Sequence, residues 1–464
     1  MSGAGTVALP LLDASTLGDD RTIAAIATPA GRGALALVRL SGRDVLAVAA
    51  RILDPVPTEP RRAALARVKD PDDGAVLDEV VATWYAAPRS FTGEDLLEIS
   101  THGGMHVPAS ILAAAIRAGA RDAAPGEFTR RAVLNGKLDL LQAEAIGDLI
   151  DARSSAAQRQ ALRQLDGGLS ARVQALRDRI LTVESLLAYD IDFPEEDDGP
   201  ISRERIDAAL EEALHAVRTL LATAEQGTLI HDGAIVVLAG APNVGKSSLF
   251  NALLGEARAI VTEIPGTTRD AIEAVLDRPR WPLRLVDTAG LRDTTDMLER
   301  LGIEASSRYL ARAALVLACG DDASSVDDVR RQIAASTAAP VLGVLTKRDL
   351  VSHREQIADA IPVSARTGEG LATLLDAIDG TLAAMHGMPR QELPGLTRAR
   401  HRAAVARAIA ELEAFRKAQA LGAIPTSIAA IHVRHAADAL GELIGVIRTD
   451  DVLDVVFRQF CVGK

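Results

Sequence analysis

Cysteine is almost missing from this chain: Cys319 and Cys461 are the two thiols in 464 residues. Thiols so far apart supply neither a disulfide framework nor the close Cys/His spacing of a zinc site, which fits a reducing, cytoplasmic setting. Aromatic residues amount to 3%, so stacking platforms for unpaired bases are not advertised. Positive charge is not in excess either, since 51 Lys and Arg face 63 Asp and Glu for a net charge of −12. That balance argues against indiscriminate nucleic-acid binding, whose sequence-independent part comes from cations neutralising phosphates; a local basic face stays open. No apolar run reaches the roughly 18 residues that span a bilayer. The opening stretch "MSGAGTVALPLLDASTLGDD" lacks a basic region followed by an apolar core, so neither a membrane anchor nor a signal peptide is expected. The nine histidines show no metal spacing, and His102, beside two glycines, is read as a satisfied structural residue.

What is present falls into three textures. Residues 22–136 alternate short apolar runs ("TIAAIATP", "ALALVRL", "VVATWYAAP", "LLEIS") with one helical pattern, "VPASILAAAIRAG", predicting a compact α+β domain. Long amphipathic helices follow to about residue 226 ("LDLLQAEAIGDLIDARSSAAQRQALRQL", "ARVQALRDRILTVESLLAYDIDF"), broken by the acidic "DFPEEDDGP". Residues 234–384 then alternate strands and helices ("AIVVLAG", "LRLVDTAG", "AALVLACG", "PVLGVLTKRD", "IPVSA"), the pattern of a mostly parallel sheet covered on both faces. Helices return from residue 396. Neither helical stretch buries its apolar stripe alone, so the expectation is one discontinuous helical domain with the α/β domain inserted into it. No internal repeat or low-complexity tract is found beyond a richness in alanine.

The strongest chemical signal is "GAPNVGKSS". Gly240, Gly245, Lys246 and Ser247 match G-x-x-x-x-G-K-[ST] between a predicted strand and a predicted helix. Glycines let backbone N–H groups turn onto phosphate oxygens, Lys246 reaches the β- and γ-phosphates, Ser247 ligates Mg²⁺, and the helix N-terminus adds its dipole. Asp287, Thr288, Ala289 and Gly290 ("DTAG") close a later strand, placing a carboxylate by the metal and a glycine by the γ-phosphate. Thr346, Lys347, Arg348 and Asp349 resemble the guanine-reading N-K-x-D motif, with Asp349 accepting two N–H donors from the base and Thr346 in place of asparagine. Ser364, Ala365 and Arg366 supply the base-pocket loop, so the nucleotide is GTP.

Ras-type enzymes orient the attacking water with a glutamine after "DTAG"; Leu291 stands there instead. Another device has to offset the charge that an arginine finger meets, an effect worth roughly 10³–10⁵ in rate. Asn243 and the glycine-bearing "VTEIPGTTRD" are candidates for holding a monovalent cation in the finger's place. Cys319, ending an apolar strand, reads as a small core residue. The basic helix start "TRARHRAAVAR" reads as a solvated face paired with "DFPEEDD" rather than a tRNA contact.

"GAPNVGKSS", "IVTEIPGTTRD", "DTAGLR…ERLGIE" and the terminal "FCVGK" together resemble the bacterial tRNA modification GTPases of the MnmE (TrmE) type. So do "TPAGRG", "SFTGEDLLEISTHGG", "RDAAPGEFTRRAVLNGKLDLLQAEAI" and "IDFPEE", leaving only the first twenty or so residues without a counterpart. The resemblance implies a multidomain protein. Residues 1–137 are its α+β domain, which binds tetrahydrofolate and dimerises; residues 138–232 and 389–464 form the discontinuous helical domain; residues 233–388 are an inserted Ras-like α/β P-loop G domain. It places K⁺ on Asn243, Thr262, Ile264 and Thr267, and Mg²⁺ on Ser247 and Thr268. Val244, Ser248, Glu263, Pro265 and Gly266 join the residues named above around GTP. Glu299 is implied to orient the catalytic water, beside Lys246 in the catalytic set. Folate, as 5,10-methylene- or 5-formyl-tetrahydrofolate, is implied at Arg39, Glu98, Lys137 and Lys464. The implied partners are a second copy of the chain, an MnmG-type FAD-dependent protein in a heterotetrameric or larger complex, and tRNA. The pair is expected to add a carboxymethylaminomethyl-type group to carbon 5 of the wobble uridine. The alternative is a regulatory GTP switch for ribosome assembly or signalling, without one-carbon chemistry.

"FCVGK" does not fit a lipidation signal, because Gly463 and Lys464 suit neither the aliphatic slot nor the usual last residue. It is expected to be delivered to the N-terminal domain, with Phe460 as anchor and Gly463 turning close to a ligand. Cys461 has two readings, a nucleophile in uridine modification or a small buried thiol that packs the strip, and packing is preferred.

Overall fold

Alternation along short strands builds the N-terminal sheet. In β4 (Ala63–Lys69) and β5 (Val76–Tyr85), Ala66, Val68, Val80 and Ala82 are buried while Leu65, Arg67, Glu79 and Val81 face outward. One covered face and one open face is the pattern of an antiparallel sheet. The computed structural model describes residues 20–192, 202–256, 259–260, 272–287, 308–350, 360–387, 395–421, 425–446, 453, 456–457 and 460–463. It places β3 (Leu53–Asp54), β4, β5, β6 (Leu96–His102), β2 (Leu35–Ser41), β1 (Ile23–Ile26) and β7 (Arg121–Asp122) side by side in that order. All pairs are antiparallel except the short β1/β7 pair. Helices α1 (Val45–Ile52) and α2 (His106–Arg117) cover one face, where Val45, Val48, Ile52, Ile111 and Ala114 meet Val38, Leu40, Leu97 and Ile99. The expected strands appear as β1, β2, β5 and β6 and the expected helix as α2. The pattern reading did not pick out α1: "VLAVAARI" is apolar nearly throughout, and such a run has no period that separates helix from strand.

The chain forms two compact units, Met1–Glu144 with Gly445–Lys464, and Ala145–Ile444. In the first, Leu453, Val456 and Phe457 pack with Val133, in the last turn of α3 (Glu127–Leu134), and with Leu140 and Ala143 of α4 (Leu140–Asp151). The helix expected to run unbroken through "LIDARSSAAQ" is interrupted. Ser154 adopts an extended backbone (φ −147°) and its side chain accepts from the Ala157 amide, starting α5 (Ser155–Leu165) as an N-cap.

In the second unit, α6 (Gly168–Asp192), α7 (Arg203–Leu221), α12 (Ala399–Leu421) and α13 (Thr426–Ile444) form a ring in which each packs on two others. Leu169, Val173, Ile180, Val183 and Leu187 recur at helical spacing and are all buried, so the stripe of α6 is fully used. Through α8 (Ala224–Asp232) the chain enters a second seven-stranded sheet. Its order is β14 (Ala360–Pro362), β13 (Val341–Leu345), β12 (Leu315–Gly320), β8 (Ala234–Ala239), β11 (Leu283–Asp287), β10 (Ile272–Leu276), β9 (Ala259–Ile260). β14 to β11 run parallel; β10 and β9 are antiparallel. Val236 and Leu238 enter one core with Phe250 of α9 (Lys246–Glu256) and Leu374 of α11 (Leu371–His386). Val237 and Ala239 enter the other with Val326 and Val329 of α10 (Ala323–Ile333). Burial on both faces is why "AIVVLA" carries no polar residue. Among the described residues no helix is long and apolar enough to cross a membrane.

Candidate functional site

In a parallel sheet the ligand crevice opens at the carboxyl ends of the strands where the order switches, which here is the end of β8 between β11 and β12. The 240–248 loop occupies that position. A Cβ on Gly240 would lie 2.4 Å from the Cys319 carbonyl oxygen, so only glycine lets the loop leave β8 against β12. Asn243 takes the left-handed conformation (φ 61°), which its short polar side chain tolerates. Lys246 is 4% exposed, and its ammonium donates to the carbonyls of Gly240 at 3.0 Å and Ala241 at 2.8 Å, which holds it inside the concavity of the loop. Ser247 Oγ donates to the Asp287 carboxylate at 2.7 Å, and Asp287 is 1% exposed at the end of β11. A hydroxyl and a carboxylate this close are hard oxygen donors that fit Mg²⁺, which takes few protein ligands and completes its shell with phosphates and water. Among the described residues no group of three or more His, Cys, Asp or Glu offers an all-protein metal cage.

The residues expected to read the base are also brought together. Thr346 is buried, and its hydroxyl lies within hydrogen-bond reach of the carbonyls of Val244 and Gly320, tying the phosphate loop to the end of β13. Lys347 (φ 55°) carries its ammonium 3.7 Å from Asp321. Asp349 accepts from Ser364 Oγ at 2.8 Å and from Arg366 Nε at 2.7 Å, and the hydrogen bond from Ser364 leads in holding its carboxyl below the usual carboxylate range. Burial pushes the Cys319 thiol up to about 12, so it is inert, as a core residue should be. Thr262, Glu263, Ile264, Pro265, Gly266, Thr267, Thr268, Thr288, Ala289, Gly290, Leu291, Glu299 and Lys464 lie outside the described residues.

A second site forms in the N-terminal unit. Arg39 and Glu98 are register partners on β2 and β6, inside strands rather than after one. Arg39 Nε and Nη2 donate to Glu98 Oε1 at 3.0 and 2.7 Å, and the Arg39 guanidinium carbon sits 5.7 Å from the Phe91 ring and 5.8 Å from that of Phe128. Tyr85 Oη donates to the other oxygen of Glu98 at 3.4 Å; burial first, and then the Glu98 charge, raise that phenol above its ordinary range. Sequence reasoning missed Tyr85, Phe91 and Phe128, because only the tertiary fold brings them to the pair. The terminal strip docks here: the Gly463 carbonyl accepts from Arg39 Nη1 at 3.4 Å and the Cys461 carbonyl from the Gly126 amide at 3.3 Å. Gly463 (φ 93°) passes so close to β1 that a Cβ would sit 2.8 Å from the Ala27 Cα. A cavity of about 790 Å³, bounded by Thr28, Arg32, Met105, Asp122 and Val462, adjoins the strip. Lys137 is exposed and donates to the Pro88 carbonyl at 3.2 Å.

Two expectations need correction. The Cys461 side chain is exposed, so it is not a small buried thiol; Phe460, its ring tilted against that of buried Phe457 with centroids 5.4 Å apart, and Gly463 do the anchoring. "TRARHRAAVAR" is not a simple solvated face, because His401 is buried and Arg398 pairs with the buried carboxylate of Asp148. Its supposed partner segment, 193–201, lies outside the described residues. His102 is satisfied as expected, its Nδ1 lying 2.7 Å from Asp78.

Comparisons with known proteins identify the family. Residues 22–137 match the family model described as the GTP-binding protein TrmE N-terminus, and residues 140–461 the one described as the MnmE helical domain. The protein described as tRNA modification GTPase MnmE of Moorella thermoacetica is 42% identical over 463 residues, spanning 96% of this chain and 100% of that relative. The protein of that description from Bordetella petrii is 43% identical over 450 residues, spanning 95% of this chain and 98% of its own. Among solved structures, the G domain of the T. maritima FeoB iron transporter is 26% identical, covering 32% of this chain and 98% of its own, at a TM-score of 0.26. That score carries no fold assignment; the nucleotide-binding fold rests on the strand order and loop geometry above. A match to the family's own models over most of the chain, joined to relatives of full matching length, has one meaning: this chain belongs to the MnmE (TrmE) family of tRNA modification GTPases.

Proposed function

We propose that the chain is a K⁺-stimulated, dimerising GTPase that works with an MnmG-type flavoprotein. Together they add a carboxymethylaminomethyl-type group to carbon 5 of the wobble uridine of certain tRNAs, in the cytoplasm, with a reduced folate as one-carbon donor. The working division is residues 1–137 for folate and dimerisation, 233–388 for GTP, and 138–232 with 389–464 for the helical domain. The observation that carries the reading is the docking of the terminal strip on Arg39, inside the unit that also pairs Arg39 with Glu98. A GTP switch that only signals has no use for a charged, aromatic-walled site built from residues more than four hundred positions apart.

In this reading Lys246 and the backbone of the 240–248 loop hold the β- and γ-phosphates, and Asp349 reads the base. Ser247, with Thr268, would hold Mg²⁺, which would supply positive charge beside the phosphates. Asn243, with Thr262, Ile264 and Thr267, would hold K⁺, which would supply the positive charge that an arginine finger gives elsewhere. Glu299 orients the attacking water. At the N-terminal site Glu98 accepts paired N–H donors from the pterin of a folate and Arg39 orients that carboxylate, while Lys137 and Lys464 hold the carboxylates of the folate's tail; Phe91 and Phe128 give the ring an apolar wall. The folate, when bound, supplies the one-carbon unit. Mass spectrometry of wobble nucleosides from cells lacking this protein should show loss of the modified uridine. Normal wobble nucleosides in those cells, with purified protein that binds no reduced folate, would favour the switch.

A further inference from the structure

Both carboxylate oxygens of Asp349 are engaged within the chain, by two contacts of different character. Ser364 is fully buried, and its backbone is fixed by amides running from Val363 to the Leu345 carbonyl and from Ser364 to the Glu369 carbonyl. Its hydroxyl therefore positions the carboxylate permanently. Arg366 has a side chain 73% exposed against 11% for Asp349, so it reaches in from solvent to the second oxygen. A guanidinium presents planar N–H donors at the spacing of those on a guanine edge.

We infer that Arg366 is an internal competitor of the base: its Nε–H takes the Asp349 oxygen that a guanine's N–H donors need, so nucleotide entry displaces it and Arg366 sets the affinity for guanine nucleotides. The inference rests on Asp349 being the guanine reader. An exposed ion pair is weak and exchanges readily, so the competition lowers affinity modestly rather than closing the site. Because Arg366 acts on the protein before the base arrives, its removal raises the association rate and leaves dissociation unchanged.

Titration and stopped-flow mixing of a fluorescent GDP analogue with full-length protein test this. Arg366→Ala should bind about two- to fivefold tighter than the parent, with the gain in the association rate. Arg366→Lys should fall between the two, since an ammonium keeps the charge without the planar donors. Asp349→Asn is the control on the underlying reading: it should lose guanine nucleotide more than tenfold and accept the xanthine analogue, whose C2 carbonyl meets the amide N–H. Unchanged or weaker binding by Arg366→Ala, with Asp349→Asn behaving as stated, overturns the competitor role alone. Full GDP affinity in Asp349→Asn overturns the guanine-reading assignment, and the competitor role with it.

Discussion

Thr346 shows how much a single position decides. Asparagine is usual there, and threonine replaces it. The threonine hydroxyl is buried between the Val244 and Gly320 carbonyls, where it braces the phosphate loop against β13. A short hydroxyl suffices because the two strands already approach closely, which no motif records. Leu291 is the opposite case, a departure whose consequence is chemical. With no glutamine to orient water, the proposed function has hydrolysis depend on a cation at Asn243, which is exposed at the loop's left-handed turn. GTP turnover should be at least tenfold faster in K⁺ than in Na⁺, and Asn243→Ala should erase the difference. Equal steady-state rates of the parent protein in the two salts would sink the idea.

At the scale of elements, the junctions between the helical and α/β parts carry the least expected chemistry. Asp148 of α4 is 5% exposed and accepts from two places at once: His231, where the chain enters the α/β body, and Arg398, where it leaves. Asp277, just after β10, accepts from both the amide and the hydroxyl of Ser155 at 3.0 and 2.7 Å, satisfying an orphan donor at the start of α5. The sequence showed charged residues at these points but not their pairing, because residues 148, 231 and 398 meet only once both crossings are folded. The hydrogen bond to Asp148, and next that to Asp232, raise the His231 imidazole to about 9. With a folded value above the ordinary 6.5, its contribution is complete below about pH 6.5 and is lost as pH rises through about 9. Thermal melts should therefore show stability falling by on the order of 2 kcal/mol across that window. His231→Gln should flatten that part of the profile, and a parent profile already flat from pH 6.5 to 9 would refute the linkage.

Over the whole molecule, the terminal strip belongs to the N-terminal unit while the nucleotide site lies in the other, and each has its own core. Deleting residues 461–464 should abolish tRNA modification and leave GTP hydrolysis within about twofold, since the α/β core loses no contact. Truncated protein that still modified tRNA would disprove the role of the strip. Cys461→Ser refines the result: the exposed thiol contributes no packing, so loss of modification with folate binding intact would mark it as chemical. The sequence by itself determined the order of its three textures, the P-loop match, the resemblance of residues 346–349 to a guanine-reading motif, and the absence of a glutamine after "DTAG". Those properties are local, set by residue type, spacing and hydrophobic period along the chain. Only the tertiary structure decided that Arg39 faces Glu98 between two phenylalanines, that Cys461 is exposed, that Arg366 rests on the Asp349 carboxylate, and that Asp148 holds both chain crossings. Each is a pairing between residues distant in sequence, and strand register, helix docking and close backbone approach, rather than residue identity, bring such partners together.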